Sequence, residues 1–133
     1  MTVIITVLAT LAAVLHIVFF YLESVAWARP TVHNLFGVRT PEDAAVMKPF
    51  AYNQGFYNLF LAIEVLLGVV LIGFGQTAVG FALAVFGLAS MLAAAIVLLV
   101  SNRKLWKGAA VQGLLPLVAL ALYLVSLTAP DLA

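Results

Sequence analysis

Residues 78–101 read AVGFALAVFGLASMLAAAIVLLVS, a run that contains no charged side chain. A helix needs about 20 apolar residues to cross the hydrocarbon core of a bilayer, and this run is long enough. Three further apolar runs occupy residues 2–27, 50–74 and 108–128. Because the backbone must satisfy its own hydrogen bonds in lipid, such continuous runs form helices rather than open strands. The sequence therefore predicts an all-α integral membrane protein with a four-helix bundle.

The composition excludes several other classes of protein. Of 133 residues, 66% are hydrophobic and 8% are charged, whereas soluble domains carry about 25% charged residues. The length predicts a single transmembrane domain over residues 1–133. The absence of cysteine excludes disulfides, thiolate metal sites and a cysteine nucleophile. A net charge of +1, without a basic patch interleaved with aromatics, gives no indication of nucleic-acid binding.

The positive charges predict the orientation. All six Lys and Arg residues lie in the first and third predicted loops: Arg29, Arg39, Lys48, Arg103, Lys104 and Lys107. The positive-inside rule places both loops in the cytoplasm and both termini outside. Trp27 and Trp106 then lie at the cytoplasmic interface, where aromatic belts are found. We therefore predict a multi-pass protein of the cell (inner) membrane.

The first loop is the only long connection, and it contains a helix start. Thr40 is followed by Pro41, Glu42 and Asp43, which is typical of a capping residue, a first-position proline and an acidic first turn. We expect a short helix from there to position 47 and a break or kink at Pro49 before the second span. His33 and the charged residues of the loop are expected to be solvated.

Ionisable groups at membrane depth are costly and indicate functional sites. The predicted spans contain three, which are the candidate catalytic residues His16, Glu23 and Glu64. The uncharged candidates are the predicted ligand-binding residues Asn53, Gln54, Tyr57, Asn58 and Gln112.

A helical rise of about 1.5 Å per residue divides these candidates into two layers. His16 and Glu64 form a deep layer, and the remaining candidates, with Glu23, form a layer near the cytoplasm. Helical spacing also predicts that Gln54, Tyr57, Asn58 and Glu64 share one face of the second helix.

Three functions remain open. The first is a cytoplasm-facing polar pocket for a small amphipathic ligand, and one form of it is a membrane-embedded enzyme in which Glu23 or Glu64 acts as acid or base. The second is a small proton-coupled transporter or channel that uses His16 and Glu64 as a relay. The third is an assembly or regulatory subunit of a membrane complex. Structural roles compete with all three, since Glu23 could pair with a loop arginine and the amides could join helices.

The cofactor is unknown at this stage. A haem ligated by His16 is one alternative, and no spaced cluster of metal ligands or phosphate loop is present. Gly80/Ala84 and Ala89/Ala93 have the small-xxx-small spacing of close helix contacts. Because four short helices bury little surface against one another, we also expect a homo-oligomer.

Two segments carry a resemblance to a known family. LHIVFFYLES at 15–24 and NQGFYNLFLA at 53–62 resemble the small bacterial four-helix membrane proteins of the domain of unknown function 1304 family. The resemblance covers nearly the whole chain and implies no activity. It implies that the recurrent polar residues of the family are His16, Glu23, Asn53, Gln54, Tyr57 and Asn58.

A second resemblance concerns architecture. Four helices, external termini, a long first loop with Phe36-Gly37-Val38 and Asn53 at the start of the second helix are similar to the membrane-associated proteins in eicosanoid and glutathione metabolism. That family implies a trimer with cytoplasm-facing sites between subunits and an arginine-rich stretch for glutathione. The matching residues 48–52 contain one Lys and no Arg, which argues against glutathione chemistry.

Overall fold

The computed structural model describes residues 1–128, and these residues form helices without any strand. The helices are α1 (Thr2–Phe20, continued by a π-helical turn Tyr21–Val25), α2 (Pro30–His33), α3 (Pro41–Gly73), α4 (Thr77–Ser101) and α5 (Trp106–Thr128). A short 3-10 turn, Asn34–Phe36, follows α2, and a second one, Arg103–Leu105, precedes α5. Four helices in this part of the chain are long and apolar enough to cross a membrane. The predicted all-α, multi-pass architecture is confirmed.

The four long helices form a ring in which α1 packs on α3, α3 on α4, α4 on α5, and α5 on α1. Neighbours run antiparallel, so the loops before α3 and before α5 meet at one end. A methyl group at Gly37 would lie 3.5 Å from Cδ2 of Leu105, which places the two loops in contact. We call this end, with loop residues 26–40 and 102–105, the basic end. The opposite end, with the turn at residues 74–76, is the turn end.

Small residues fill the core of the ring. Its buried cluster consists mainly of alanine: Ala9, Ala12, Ala13, Ala62, Val65, Leu88, Met91 and Ala119. Towards the turn end, α3 and α4 approach so closely that a methyl group at Gly80 would lie 2.6 Å from the Gly68 carbonyl oxygen. Ala84 is buried at the same contact, so the Gly80/Ala84 spacing packs as expected. Ala89 and Ala93 are exposed, and their spacing makes no such contact within the chain.

The start of α3 was predicted correctly, but of the predicted break or kink at Pro49 the break is absent. The Thr40 hydroxyl accepts a hydrogen bond from the Asp43 N–H at 3.1 Å, as expected of a capping residue. The helix then runs without interruption through Pro49 to Gly73. A proline removes the hydrogen bond to the carbonyl four residues earlier, here that of Ala45. Because Ala45 and Pro49 are both exposed, solvent can satisfy that carbonyl, and the helix continues.

The loop before α3 is folded onto the basic end rather than solvated throughout. Contrary to expectation, His33 is buried, and its Nδ1 lies 2.6 Å from the Val38 carbonyl oxygen. Trp27 is also buried, and its indole N–H donates to the Ala44 carbonyl oxygen at 2.9 Å. The His33 and Phe36 rings pack against the Trp27 indole, which explains why His33 leaves water. The cations Arg29 and Arg39 of this loop, and Lys48 in the first turns of α3, are exposed as expected.

Candidate functional site at the basic end

Glu23 lies in the π-helical turn that ends α1. The turn is closed by a hydrogen bond from the Ala26 N–H to the Tyr21 carbonyl oxygen at 2.9 Å, five residues apart. Single π-helical turns within α-helices are frequent at functional sites, because the extra residue redirects the side chains that follow. Here Tyr21 and Val25 are exposed, whereas Glu23 turns inward and is only 7% exposed.

The carboxyl group of Glu23 meets the amide of Asn58 inside the ring. The Asn58 side-chain N–H donates to Oε2 of Glu23 at 2.6 Å, and both residues are buried. This bond joins α1 to α3 across 35 residues of sequence. Both residues belong to the layer predicted near the cytoplasm, and in the structure they are in direct contact. The partner of Glu23 among the described residues is therefore an amide, not a loop arginine.

Two small residues that were not predicted, Ser24 and Gly55, lie at the contact between α1 and α3 beside this pair. The Ser24 hydroxyl donates to the Tyr52 carbonyl oxygen at 2.9 Å. A methyl group at Gly55 would overlap the Ser24 side chain, so glycine is needed for α1 and α3 to approach here. Glycine inside a helix costs about 1 kcal/mol relative to alanine and often marks a close packing contact. That cost is the signal by which Gly55 could have been found.

The other polar residues of α3 lie apart from the pair. Adjacent residues of a helix point about 100° apart, and the buried stripe of α3 passes through Asn58. Tyr57 is 57% exposed, Asn53 and Gln54 are exposed, and Glu64 is half-buried. Of the residues predicted to share a face with Gln54, Tyr57 and Glu64, only Asn58 is buried against the other helices.

The deep layer does not form a pair. His16 is completely buried, and its Nδ1 lies 2.9 Å from the Ala12 carbonyl oxygen. Its Nε2 has no hydrogen-bond partner within residues 1–128, so no direct bond connects it to Glu64. Gln112 is half-buried on α5. A catalytic or ligand-binding role for these residues stays a prediction.

Neither of two grooves on the surface of residues 1–128 is lined by a predicted site residue. One, of about 290 Å³, lies between α4 and α5 and includes Trp106 and Gly113. The other, of about 210 Å³, includes Thr10 and Val69. Within the described residues, no group of three or more His, Asp or Glu side chains is arranged to hold a metal ion. Among the described residues, the Glu23–Asn58 pair offers hydrogen-bonding groups.

A family model described as "Protein of unknown function (DUF1304)" matches residues 10–124 of the chain. The match confirms the first resemblance drawn from residues 15–24 and 53–62. No curated protein and no solved structure matches this chain, so the resemblance to the eicosanoid and glutathione proteins has no support.

Proposed function

The chain belongs to the DUF1304 family of proteins of unknown function. From the geometry of the Glu23–Asn58 pair, we propose that the basic end binds a small amphipathic molecule whose polar head forms a hydrogen bond with Glu23. The observation that carries this proposal is the hydrogen bond of 2.6 Å between Asn58 of α3 and Glu23, which lies in a π-helical turn. A carboxyl group inside a membrane protein is costly and is retained where it acts on a ligand, an ion or a partner side chain.

The hydrogen bonds of the pair indicate the chemistry of the head group. Asn58 occupies Oε2 of Glu23, and Oε1 has no hydrogen-bond donor among residues 1–128. A carboxylate accepts hydrogen bonds through both oxygens, so Oε1 is free to accept a bond from a ligand amine or hydroxyl. The side-chain oxygen of Asn58 can accept a second bond from the same head group. The head group should therefore be a hydrogen-bond donor.

The surface beside the pair accounts for the apolar part of the ligand. Tyr21 and Val25 lie two residues before and after Glu23 in the same π-helical turn, and both are exposed. A molecule with its head at Glu23 would lay its apolar part along this surface, at the level where bilayer and cytoplasm meet in the predicted orientation. The Ser24 hydroxyl, which follows Glu23 in the chain, is engaged with the Tyr52 carbonyl oxygen, and we propose binding at Glu23 rather than a reaction at Ser24.

Native mass spectrometry of protein released gently from its own membrane tests the proposal. We expect a bound small molecule on the unaltered chain and its loss, by about tenfold or more in occupancy, from the Glu23→Gln variant. Glutamine can still accept the Asn58 hydrogen bond, so the fold should survive, and thermal unfolding of the variant checks this. Retention of the same mass by Glu23→Gln would refute the role of Glu23.

Glu64→Gln provides the matched control, since it also removes one carboxylate from a span but lies away from the pair. This variant should keep the bound molecule. If Glu64→Gln lost the molecule while Glu23→Gln kept it, the binding site would lie on the exposed flank of α3 instead. A chain that carries no small molecule in any variant would contradict the proposal altogether.

We also propose that the protein is a homo-oligomer of the cell (inner) membrane, with the basic end in the cytoplasm. Glu64 is half-buried and has no hydrogen bond within residues 1–128, and Tyr57 is exposed on the same helix. A second copy of the chain would cover both residues. The same mass spectra report the subunit number, and a single subunit at every detergent concentration would contradict this part. No observation favours the transporter or the assembly subunit.

A further inference from the structure

The groove between α4 and α5 is a second feature of the basic end, on the far side of the ring from Glu23. Its floor is made by Ala95 and Gly113, where a methyl group on the glycine would lie 2.8 Å from the Ala95 Cβ. Larger apolar side chains, including Ile96, Leu99 and Leu114, form its walls. Small residues thus bring the helices together at the floor while the walls stay apart. The result is an apolar groove of about 290 Å³ that is open along the lipid-facing side.

The groove ends at the cytoplasmic interface of the predicted orientation, beside a cluster of positive charge. Trp106 lines this end, and Nζ of Lys107 lies 5.8 Å from the centre of the Trp106 ring. Arg103 and Lys104 lie in the 3-10 turn that precedes Trp106, and both are exposed. Residues 102–128 contain no acidic side chain, so these three cations are not balanced within their own segment.

We propose that this groove binds one anionic phospholipid, with an acyl chain between α4 and α5 and the phosphate among Arg103, Lys104 and Lys107. Basic residues at the cytoplasmic end of transmembrane helices attract anionic headgroups. Tryptophan is enriched at the headgroup level of membranes, which is where the proposal places Trp106. A zwitterionic lipid would leave the three cations without a net counter-charge. The inference is independent of the proposed function at Glu23.

The experiment adds phosphatidylglycerol or phosphatidylcholine to the purified, delipidated chain in detergent and follows binding by native mass spectrometry. The unaltered protein should bind phosphatidylglycerol about tenfold more tightly than phosphatidylcholine. Replacing the three cations together (Arg103→Gln, Lys104→Gln and Lys107→Gln) should abolish this preference. The control replaces the three cations of the first loop (Arg29→Gln, Arg39→Gln and Lys48→Gln) and should leave the preference unchanged. Equal loss in both triple variants would overturn the site in favour of diffuse attraction.

A second pair of variants tests the position of the acyl chain. Ala110 is exposed and lines the groove, so Ala110→Phe should fill it and weaken phosphatidylglycerol binding about tenfold. Ala121 is exposed on the same helix outside the groove, and Ala121→Phe should bind normally. If Ala110→Phe bound phosphatidylglycerol as tightly as the unaltered protein, the placement of the acyl chain in the groove would be overturned. If excess inorganic phosphate displaced the lipid completely, the headgroup alone would account for binding, and the role of the groove would be overturned.

Discussion

The turn end and the basic end of the bundle are built in different ways. Near the turn end, α3 and α4 are in backbone contact through Gly68, Gly80 and Ala84, without an interhelical hydrogen bond between their side chains among the described residues. At the basic end, α1 and α3 are joined by side-chain hydrogen bonds from Asn58 to Glu23 and from Ser24 to the Tyr52 carbonyl oxygen. The first arrangement is typical of helix association in membranes, where small residues permit close packing.

We interpret the turn end as a packing scaffold and the basic end as the proposed site. Close packing of small residues needs no polar group and holds the helices at a fixed spacing. A buried carboxyl group adds cost, and the basic end also carries the π-helical turn and the α4–α5 groove. Sequences depart from their own local rules mainly at functional sites. The comparison supports our proposal that the functional site lies at the basic end, and matched variants at the two ends can test it.

The largest effect is expected at the turn end, from Gly80→Leu. Its Cβ would lie 2.6 Å from the Gly68 carbonyl oxygen and 2.8 Å from the Ile72 amide nitrogen, and backbone atoms cannot move aside locally. Overpacking typically costs about 1–3 kcal/mol, and we expect the upper part of that range. The measurement is the unfolding free energy in detergent micelles. Gly73→Leu is the control, because a side chain there meets nothing within 4 Å.

The next effect is expected at the basic end, from Asn58→Leu. This variant removes the donor that bonds Glu23 and leaves a buried carboxyl group without its partner. An unsatisfied buried polar group costs about 1–3 kcal/mol, so the unfolding free energy should fall by about 2 kcal/mol. Asn53→Leu, on the exposed side of the same helix, should change stability little. Equal effects of the two variants would mean that the Glu23–Asn58 bond contributes nothing measurable.

Much of this structure was predictable, and the reason differs between the fold and the site. The four spans follow from composition, because a continuous apolar run such as 78–101 has few alternatives to a membrane helix. For Glu23 and Asn58, the sequence predicted only that the two residues lie at a similar depth in the membrane, not that they are in contact. The geometry of this contact depends on the π-helical turn, which changes the rotation of Glu23 and leaves no mark in hydrophobic spacing. The burial of His33 was missed because it depends on Trp27, a tertiary contact.

A smaller effect is expected from Trp27→Phe. The variant keeps an aromatic ring against Phe36 but removes the hydrogen bond from the indole N–H to the Ala44 carbonyl oxygen. A hydrogen bond of this kind contributes about 0.5–1.5 kcal/mol. We expect the loop before α3 to exchange its amide hydrogens faster, as measured by hydrogen–deuterium exchange. Trp106→Phe should not change exchange in that loop, since Trp106 is 56% exposed and begins α5.

The smallest effect is expected from Thr40→Ala, at the edge of the basic end. The variant removes the hydroxyl that accepts the Asp43 N–H, and loss of such a cap costs about 0.5–2 kcal/mol. Because Thr40 and Asp43 are exposed, water can replace the lost bond, and we expect the low end of that range. Thr31→Ala is the control on an exposed threonine of α2. Fraying of α3 should stop before Ala51, the first buried residue beyond Pro49, so exchange should rise only within residues 41–50. If faster exchange reached Asn58, the cap would be coupled to the site, and the basic end would unfold as one unit rather than as a loop attached to a stable pair.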